Sequence, residues 1–217
     1  LGRIVQINVA FSGFARRYDW QTLQKFMGGN LLNTGPHPLD QALQLFGTDI
    51  MPEIFCHMDR TTTAGNAEDH VLVILRGKDR PLIHLEISSC KTYSGNLYEV
   101  YGTTGGLKGS MTEIEWQYFD PKKSPSPKLI LKPLCKPDGT PAFPSDAIEW
   151  IKKSWQVPKS QADLFSVISK RFYHMLWRTL AHGAPLEITP EQIRQQVAVI
   201  EECQKQNPQI YRKVSIL

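Results

Sequence analysis

Within Gly28-Gly29-Asn30-Leu31-Leu32-Asn33-Thr34-Gly35-Pro36-His37-Pro38-Leu39-Asp40 the chain gathers an imidazole, amides and a carboxylate. His37 stands between two prolines. Proline fixes its own φ and pushes the preceding residue toward an extended conformation, so Gly35 and His37 are both expected outside helix, at a chain corner. Histidine titrates near pH ~6.5, so it can take or give a proton at neutral pH. The chemistry open to His37 is therefore general acid/base catalysis, and the competing role is a residue that merely caps the next helix. Asn33 can orient an imidazole or a hydroxyl but carries neither charge nor a proton to transfer, and it is equally suited to bonding its own backbone in a turn. Asp40 either reaches a pocket or lies near a helix N-terminus, where negative charge is favoured.

Upstream, Arg16, Arg17, Tyr18 and Trp20 combine planar donors with an aromatic wall, a mixture suited to a polyhydroxyl ligand. Arg17 and Trp20 are the candidate pocket residues there. On a later helix Phe172, Tyr173, Met175, Leu176 and Leu180 recur at core spacing, so most of them are expected to pack, with Tyr173 and His174 as the candidates to reach the same pocket. In Cys56-His57-x-Asp59 a strand would put His57 and Asp59 on one face and Cys56 on the other, so no metal site is expected.

These residues need elements to hold them. From Arg3 to Phe11, Val5, Ile7, Val9 and Phe11 alternate with residues such as Gln6 and Asn8, the period of a half-buried strand. Asp19 to Met27 reads as a short helix capped by Asp19 and stopped at Gly28. Pro38 opens a second helix, with Leu39, Ala42, Leu43 and Phe46 at helical spacing and Gly47 as its stop. His37 then lies at a helix N-terminus, where the dipole disfavours a second positive charge and favours the neutral imidazole. The middle of the chain reads as strands at Ile54–Arg60, His70–Leu75, Pro81–Ser89, Leu97–Tyr101, Leu107–Met111, Glu113–Phe119 and Lys128–Pro133, with hairpin links such as Gly77-Lys78-Asp79. Consecutive strands without helices between them imply α+β with a large, mainly antiparallel sheet, its apolar face (Ile83, Leu85, Ile87) covered by helices and its other face (His84, Glu86, Ser88) open. Seven prolines between Pro121 and Pro144 mark a surface excursion. Helices are expected at Asp146–Trp155 after Ser145, Gln161–His182 after Ser160, and Glu191–Gln206 behind the Thr189-Pro190 cap. All 217 residues read as one domain.

Composition removes several function classes. The net charge of +4 is spread in pairs such as Lys122-Lys123 and Lys152-Lys153 rather than in a stripe, so no nucleic-acid partner is expected. Apolar runs are strand-sized, and no membrane segment is expected. Four cysteines without a C-x-x-C pair provide neither a zinc ribbon nor a disulfide framework and fit a reducing, cytoplasmic setting. Leu1 opens directly on a strand pattern, as in a piece of a longer chain.

The corner Gly28-Gly29-x-Leu31-Leu32-Asn33-x-Gly35-x-His37-x-x-Asp40 resembles the signature that opens the C-terminal domain of the glucose–fructose oxidoreductase/inositol dehydrogenase/rhizopine-catabolism (Gfo/Idh/MocA) superfamily. "EVYGTTGGLKG" (residues 99–109) and "GAPLEITPEQIRQQVAVIEECQKQ" resemble that family's hairpin and final helix. The resemblance implies the substrate-binding and oligomerisation half of an NAD(P)-dependent oxidoreductase acting on a sugar or polyol. It makes His37 the acid/base, with Asn33 where the family commonly has aspartate. It also implies NAD or NADP bound mainly by an N-terminal Rossmann domain, since no G-x-G-x-x-G lies in this chain, and a homodimer or tetramer formed through the open sheet face. Two alternatives stay open: a non-redox module binding carbohydrate or protein, favoured by Asn33, and a relative that cleaves glycosides with NAD assistance.

Overall fold

Residues 1–93 and 95–211 are described by the computed structural model. Strand β1 (Ile4–Ser12) buries Ile7 and Val9 and turns Gln6 and Asn8 the other way. A bulge between Ile4 and Gln6 leaves Val5 exposed, so the expected stripe begins at Ile7. Two 3₁₀ turns follow, then α1 (Asn30–Asn33) and α2 (Pro36–Phe46). Next come β2 (Glu53–Asp59), β3 (His70–Arg76), β4 (Leu82–Ser88), β5 (Tyr98–Gly102), β6 (Gly105–Gly109) and β7 (Glu113–Tyr118). After the proline-rich excursion the chain forms β8 (Ile151–Gln156), α3 (Leu164–His182) and α4 (Pro190–Gln206).

The strands make one sheet in the order β2-β3-β4-β1-β5-β6-β7-β8. Every neighbouring pair is antiparallel except β1 with β4, which run parallel with Ile7 opposite Ile83, Val9 opposite Leu85 and Phe11 opposite Ile87. The fold is thus α+β on a mainly antiparallel open sheet, as the strand spacing implied. Val71, Val73 and Leu75 of β3 and Ile83, Leu85 and Ile87 of β4 meet Leu39, Leu43 and Phe46 of α2, with Val199 and Cys203 of α4 beside them. Each such fully buried side chain supplies about 1.5–3 kcal/mol of transfer free energy.

Beyond its last turn, α4 also closes the outer edge of the sheet. The Cys56 N–H donates to Gln206 Oε1 and the Met58 N–H to Asn207 Oδ1, both at 2.8 Å. The amide nitrogens of Gln206 and Asn207 return bonds to the carbonyls of Ile54 and Cys56 at 2.9 and 3.1 Å. Two side-chain amides stand where another strand would pair, which blunts an otherwise open edge.

Four expected elements differ. The helix over Asp19–Met27 is two separate 3₁₀ turns, Trp20–Thr22 and Gln24–Phe26, because the Thr22 carbonyl is taken by the N–H groups of Asn66 and Ala67 (3.2 and 3.0 Å) and cannot continue a helical ladder. Asp19 still caps, accepting from the Gln21 N–H at 2.9 Å. Asp146–Trp155 is not helical: its second half is β8, drawn into the sheet by the unpaired edge of β7. Lys128–Pro133 forms no strand, since its flanking prolines remove ladder donors, and only an isolated bridge joins Cys135 to Pro141. Finally, α3 is capped by Asp163 rather than Ser160, and none of its residues is buried. Phe172, Leu176 and Leu180 are therefore not core, because α2 and α4 already occupy the inner face of β1–β4.

That contrast sets an expectation for chemical denaturation. Leu85→Ala, in the packed centre, lowers the unfolding free energy by about 2–5 kcal/mol, whereas Leu180→Ala on α3 changes it by less than about 0.5 kcal/mol. Urea titrations of the two variants measure both.

Candidate functional site

Three glycines build the corner, each for a steric reason. A side chain at Gly28 would overlap the Gln21 carbonyl, one at Gly35 would overlap the Leu31 backbone, and Gly29, at φ +112°, would meet the Glu68 carboxylate. Gly35 adopts helical angles (φ −59°, ψ −32°) and α2 begins at Pro36, so His37 sits inside the first helical turn rather than at an extended corner. The clash that proline imposes on its predecessor is lessened at Gly35, which has no Cβ, and a proline in the first turn removes no helical hydrogen bond. The Pro36 carbonyl is held by the side-chain amide of Gln196 from α4.

The ring of His37 is exposed on this turn, and among the described residues its side chain makes no hydrogen bond. Asn33, four residues earlier and last in α1, is half-buried and its Oδ1 accepts from Gln21 Nε2 at 3.3 Å. Gln21 Oε1 in turn accepts from Arg17, whose guanidinium grips the Asp19 carboxylate at 3.0 and 2.9 Å. That carboxylate is held below its usual range by Arg17 first and by the Gln21 N–H second. The structure thus links Arg17 to Asn33 through Gln21. Trp20 is 60% exposed and meets Phe26 edge-on at 6.2 Å, a rim position. Asp40 is half-buried on α2, one residue before Gln41, which accepts the Tyr98 hydroxyl. Tyr173 lies on α3, 68% exposed and edge-on to its neighbour Phe172, and is not drawn into this network.

A cleft of about 240 Å³ opens between Arg17, Asn30, Thr34, Ser88, Ser89 and Phe14. It sits where β1 and β4 end side by side, and Thr34, one of its lining residues, accepts the His37 N–H through its carbonyl at 3.3 Å, while His37 itself does not line it. A larger groove of about 720 Å³ on β5–β8, with Glu99, Tyr101, Lys108 and Glu115 among its lining, shares no residue with the corner. The Thr103-Thr104 turn joins two antiparallel strands rather than a strand to a helix, so it is no phosphate cradle. Among the described residues no group of three or more His, Cys, Asp or Glu is placed to hold a metal ion.

Two adjacent buried acids, unmarked by any motif, support the corner from below. Burial pushes the Asp69 carboxyl up, but the N–H groups of Thr63, Thr61 and Thr62, at 2.7, 2.7 and 2.8 Å, outweigh it and leave it below the usual range. Glu68, 1% exposed, accepts from the Leu31 N–H at 2.8 Å and from the Tyr211 hydroxyl. For Glu68 burial wins over the Tyr211 and Leu31 bonds, and its carboxyl is held above the ordinary range. Gln21, Glu68 and Gln196 are the positioning residues that sequence reasoning missed. Their partners lie 12, 37 and 160 positions away, and no local spacing signals such pairs.

With this geometry in place, the chain can be set beside known proteins. Residues 1–108 match the family model of the GFO/IDH/MocA C-terminal domain, and the chain belongs to that family. Among solved structures it resembles an oxidoreductase from Bacillus cereus, with TM-score 0.65, 16% identity, and 93% of this chain covering 56% of that one. It likewise resembles an NAD-binding protein from Listeria innocua, with TM-score 0.65, 18% identity, and 94% of this chain covering 56% of that one. A third is the WlbA dehydrogenase from Bordetella pertussis in complex with NADH and UDP-GlcNAcA, with TM-score 0.64, 16% identity, and 96% covering 55%. At these identities the shared property is the fold, and the chain spans little more than half the length of each structure. No curated protein matches the sequence.

The Asp69 bonds carry a pH signature. A carboxyl lowered in the fold contributes stability above its unfolded pKa and loses it as pH falls through the folded value. Asp69→Asn is expected to cost about 1–3 kcal/mol at neutral pH, with the gap to wild type closing below the ordinary aspartate range. Urea unfolding at stepped pH measures it.

Proposed function

We propose that this chain is the substrate-side domain of an NAD(P)-dependent oxidoreductase acting on a sugar or polyol, with His37 as its acid/base. The carrying observation is the match of residues 1–108 to the family together with an exposed His37 whose backbone N–H is held by Thr34, a lining residue of the Arg17–Asn30–Ser89 cleft. Two further observations support the reading. The cleft lies at the carboxyl ends of two parallel strands, a favoured place for ligands in α/β sheets, and WlbA, of the same fold, holds NADH and a UDP-sugar. A bound nicotinamide, held mainly outside these residues, would supply the hydride acceptor.

In this reading His37 takes the proton from the substrate hydroxyl as it is oxidised and returns one on reduction. Asn33, its amide oriented by Gln21 and Arg17, positions a hydroxyl and stays neutral. Trp20 walls the rim. The test is NAD(P)⁺-linked oxidation of a panel of sugars and polyols by the complete polypeptide. His37→Ala lowers kcat/KM by roughly 10²–10⁴-fold, and an unchanged value refutes the role. The neutral Asn33 in place of an acid favours a second reading, a carbohydrate-binding module without redox activity. Calorimetric sugar binding with no NAD(P)-linked turnover in wild type would establish it.

The open face of β5–β8, with Glu99, Tyr101 and the Lys108–Glu115 ion pair (3.2 Å), is the proposed self-association surface. Light scattering at micromolar concentration is expected to give a dimer or tetramer, and a monomer overturns this.

A further inference from the structure

The Glu68-Asp69 dipeptide holds consecutive residues of the corner. The Glu68 carbonyl accepts the Asn30 N–H at 3.0 Å, the Asp69 carbonyl accepts the Asn30 side-chain amide at 2.7 Å, and the Glu68 carboxylate accepts the Leu31 N–H at 2.8 Å. The same carboxylate fills the space that a side chain at Gly29 would need. Its remaining donor comes from far along the chain, the hydroxyl of Tyr211. Tyr211 and Ile210 pack against the core, and the Ile210 carbonyl accepts from Gln24 Nε2 at 2.9 Å, so the segment after α4 is tied to both sides of the corner.

The chemistry of these partners is one-sided. Both donate, and an ionised carboxylate offers only acceptors, so Glu68 satisfies the Leu31 amide and the Tyr211 hydroxyl together. Removing the tyrosine hydroxyl leaves a buried carboxylate oxygen with one donor fewer and weakens the anchoring of the carboxylate that accepts from Leu31, while the Asn30 bonds to the Glu68 and Asp69 carbonyls remain. The bond from Leu31 matters because the α1 turn grows from it. The Asn33 N–H donates to the Gly29 carbonyl at 2.9 Å and the Gly35 N–H to the Asn30 carbonyl at 2.7 Å.

We infer that Glu68 is a positioning residue that couples docking of the segment Asn207–Tyr211 to the corner bearing Asn33 and His37. The docked segment completes the bonding of Glu68, and Glu68 fixes the turn that aims the candidate site. Release of the segment therefore loosens the site, which makes Asn207–Tyr211 a regulatory element of it. The functional weight of this coupling rests on the acid/base reading of His37, but the coupling itself does not.

The test is hydrogen exchange and histidine side-chain NMR on the ¹⁵N-labelled chain with Tyr211→Phe, Glu68→Gln and Glu68→Ala. Tyr211→Phe, which keeps the ring packing, is expected to speed exchange of the Leu31, Asn33 and Gly35 amides roughly tenfold and to shift the His37 ring resonances. Val73 and Leu85 amides in the core should exchange as before. Glu68→Gln keeps an acceptor for Leu31 and should retain most of the protection that Glu68→Ala loses, a rescue that loss of bulk alone would not produce. Unchanged corner exchange and unshifted His37 signals in Tyr211→Phe overturn the inference, as does an equal acceleration at Val73 and Leu85. No substrate is involved, so the coupling can fail while His37→Ala still abolishes turnover, and the reverse.

Discussion

The parallel pairing of β1 with β4 is the constraint on which the rest of the molecule depends. Antiparallel neighbours can be joined by a short hairpin, but parallel neighbours need a crossover that carries the chain back to the starting end. Here that crossover contains the corner, α1, α2, β2 and β3. Helix α2, the outer strands β2 and β3 and every residue of the candidate acid/base corner lie in the crossover demanded by one strand pair that cannot be closed by a turn. The pairing also sets the carboxyl ends of two strands side by side, which opens the cleft between Arg17, Asn30 and Ser89.

A crossover of this kind is short of regular structure, and its backbone polar groups must be satisfied by other means. Side chains do this. Asp69 gathers three threonine N–H groups, Glu68 takes the Leu31 N–H in the first turn of α1, Asn30 spans to Asp69 and Ser89, and Gln206 and Asn207 close the edge of β2. Burying carboxylates is costly, and each is tolerated because charge-assisted bonds offset desolvation. The balance differs between the two neighbours. Asp69 has enough donors to stay below its usual range, while Glu68, with fewer, is held above it.

The two ends of the sheet are unlike. Over β1–β4 the inner face is sealed by α2 and α4, whereas Trp116, Tyr118 and Trp155 on β7 and β8 share that face and stay half-buried or exposed. The long α3 likewise keeps Phe165, Phe172 and Leu180 at the surface. Periodicity alone marks an amphipathic helix and does not say which layer receives it, which is why α3 reads as core in the sequence and stands outside it in space.

Legibility followed the range of the interactions. The apolar run Val71–Leu75, the alternation in Ile83-His84-Leu85-Glu86-Ile87, the Gly47 stop of α2 and the Thr189 cap all act within a few residues, and they stand in the structure where the sequence put them, whereas the prolines around His37 do not hold it outside helix. The strand class, the mainly antiparallel sheet and the placing of Asn33 and His37 on one corner were legible for that reason. What the sequence by itself determined is therefore local: which segments alternate, where the chain must turn, and which residue types can move a proton. Only the tertiary structure decided that the Asp146–Trp155 region pairs with β7, that Thr22 gives its carbonyl to Asn66 and Ala67 and so breaks a helix, and that Glu68 and Tyr211 meet beneath the corner. Those outcomes depend on which unpaired backbone edge or buried donor a segment meets across 33 to 143 positions of chain, and a hydrogen bond made at that distance leaves no period in the sequence.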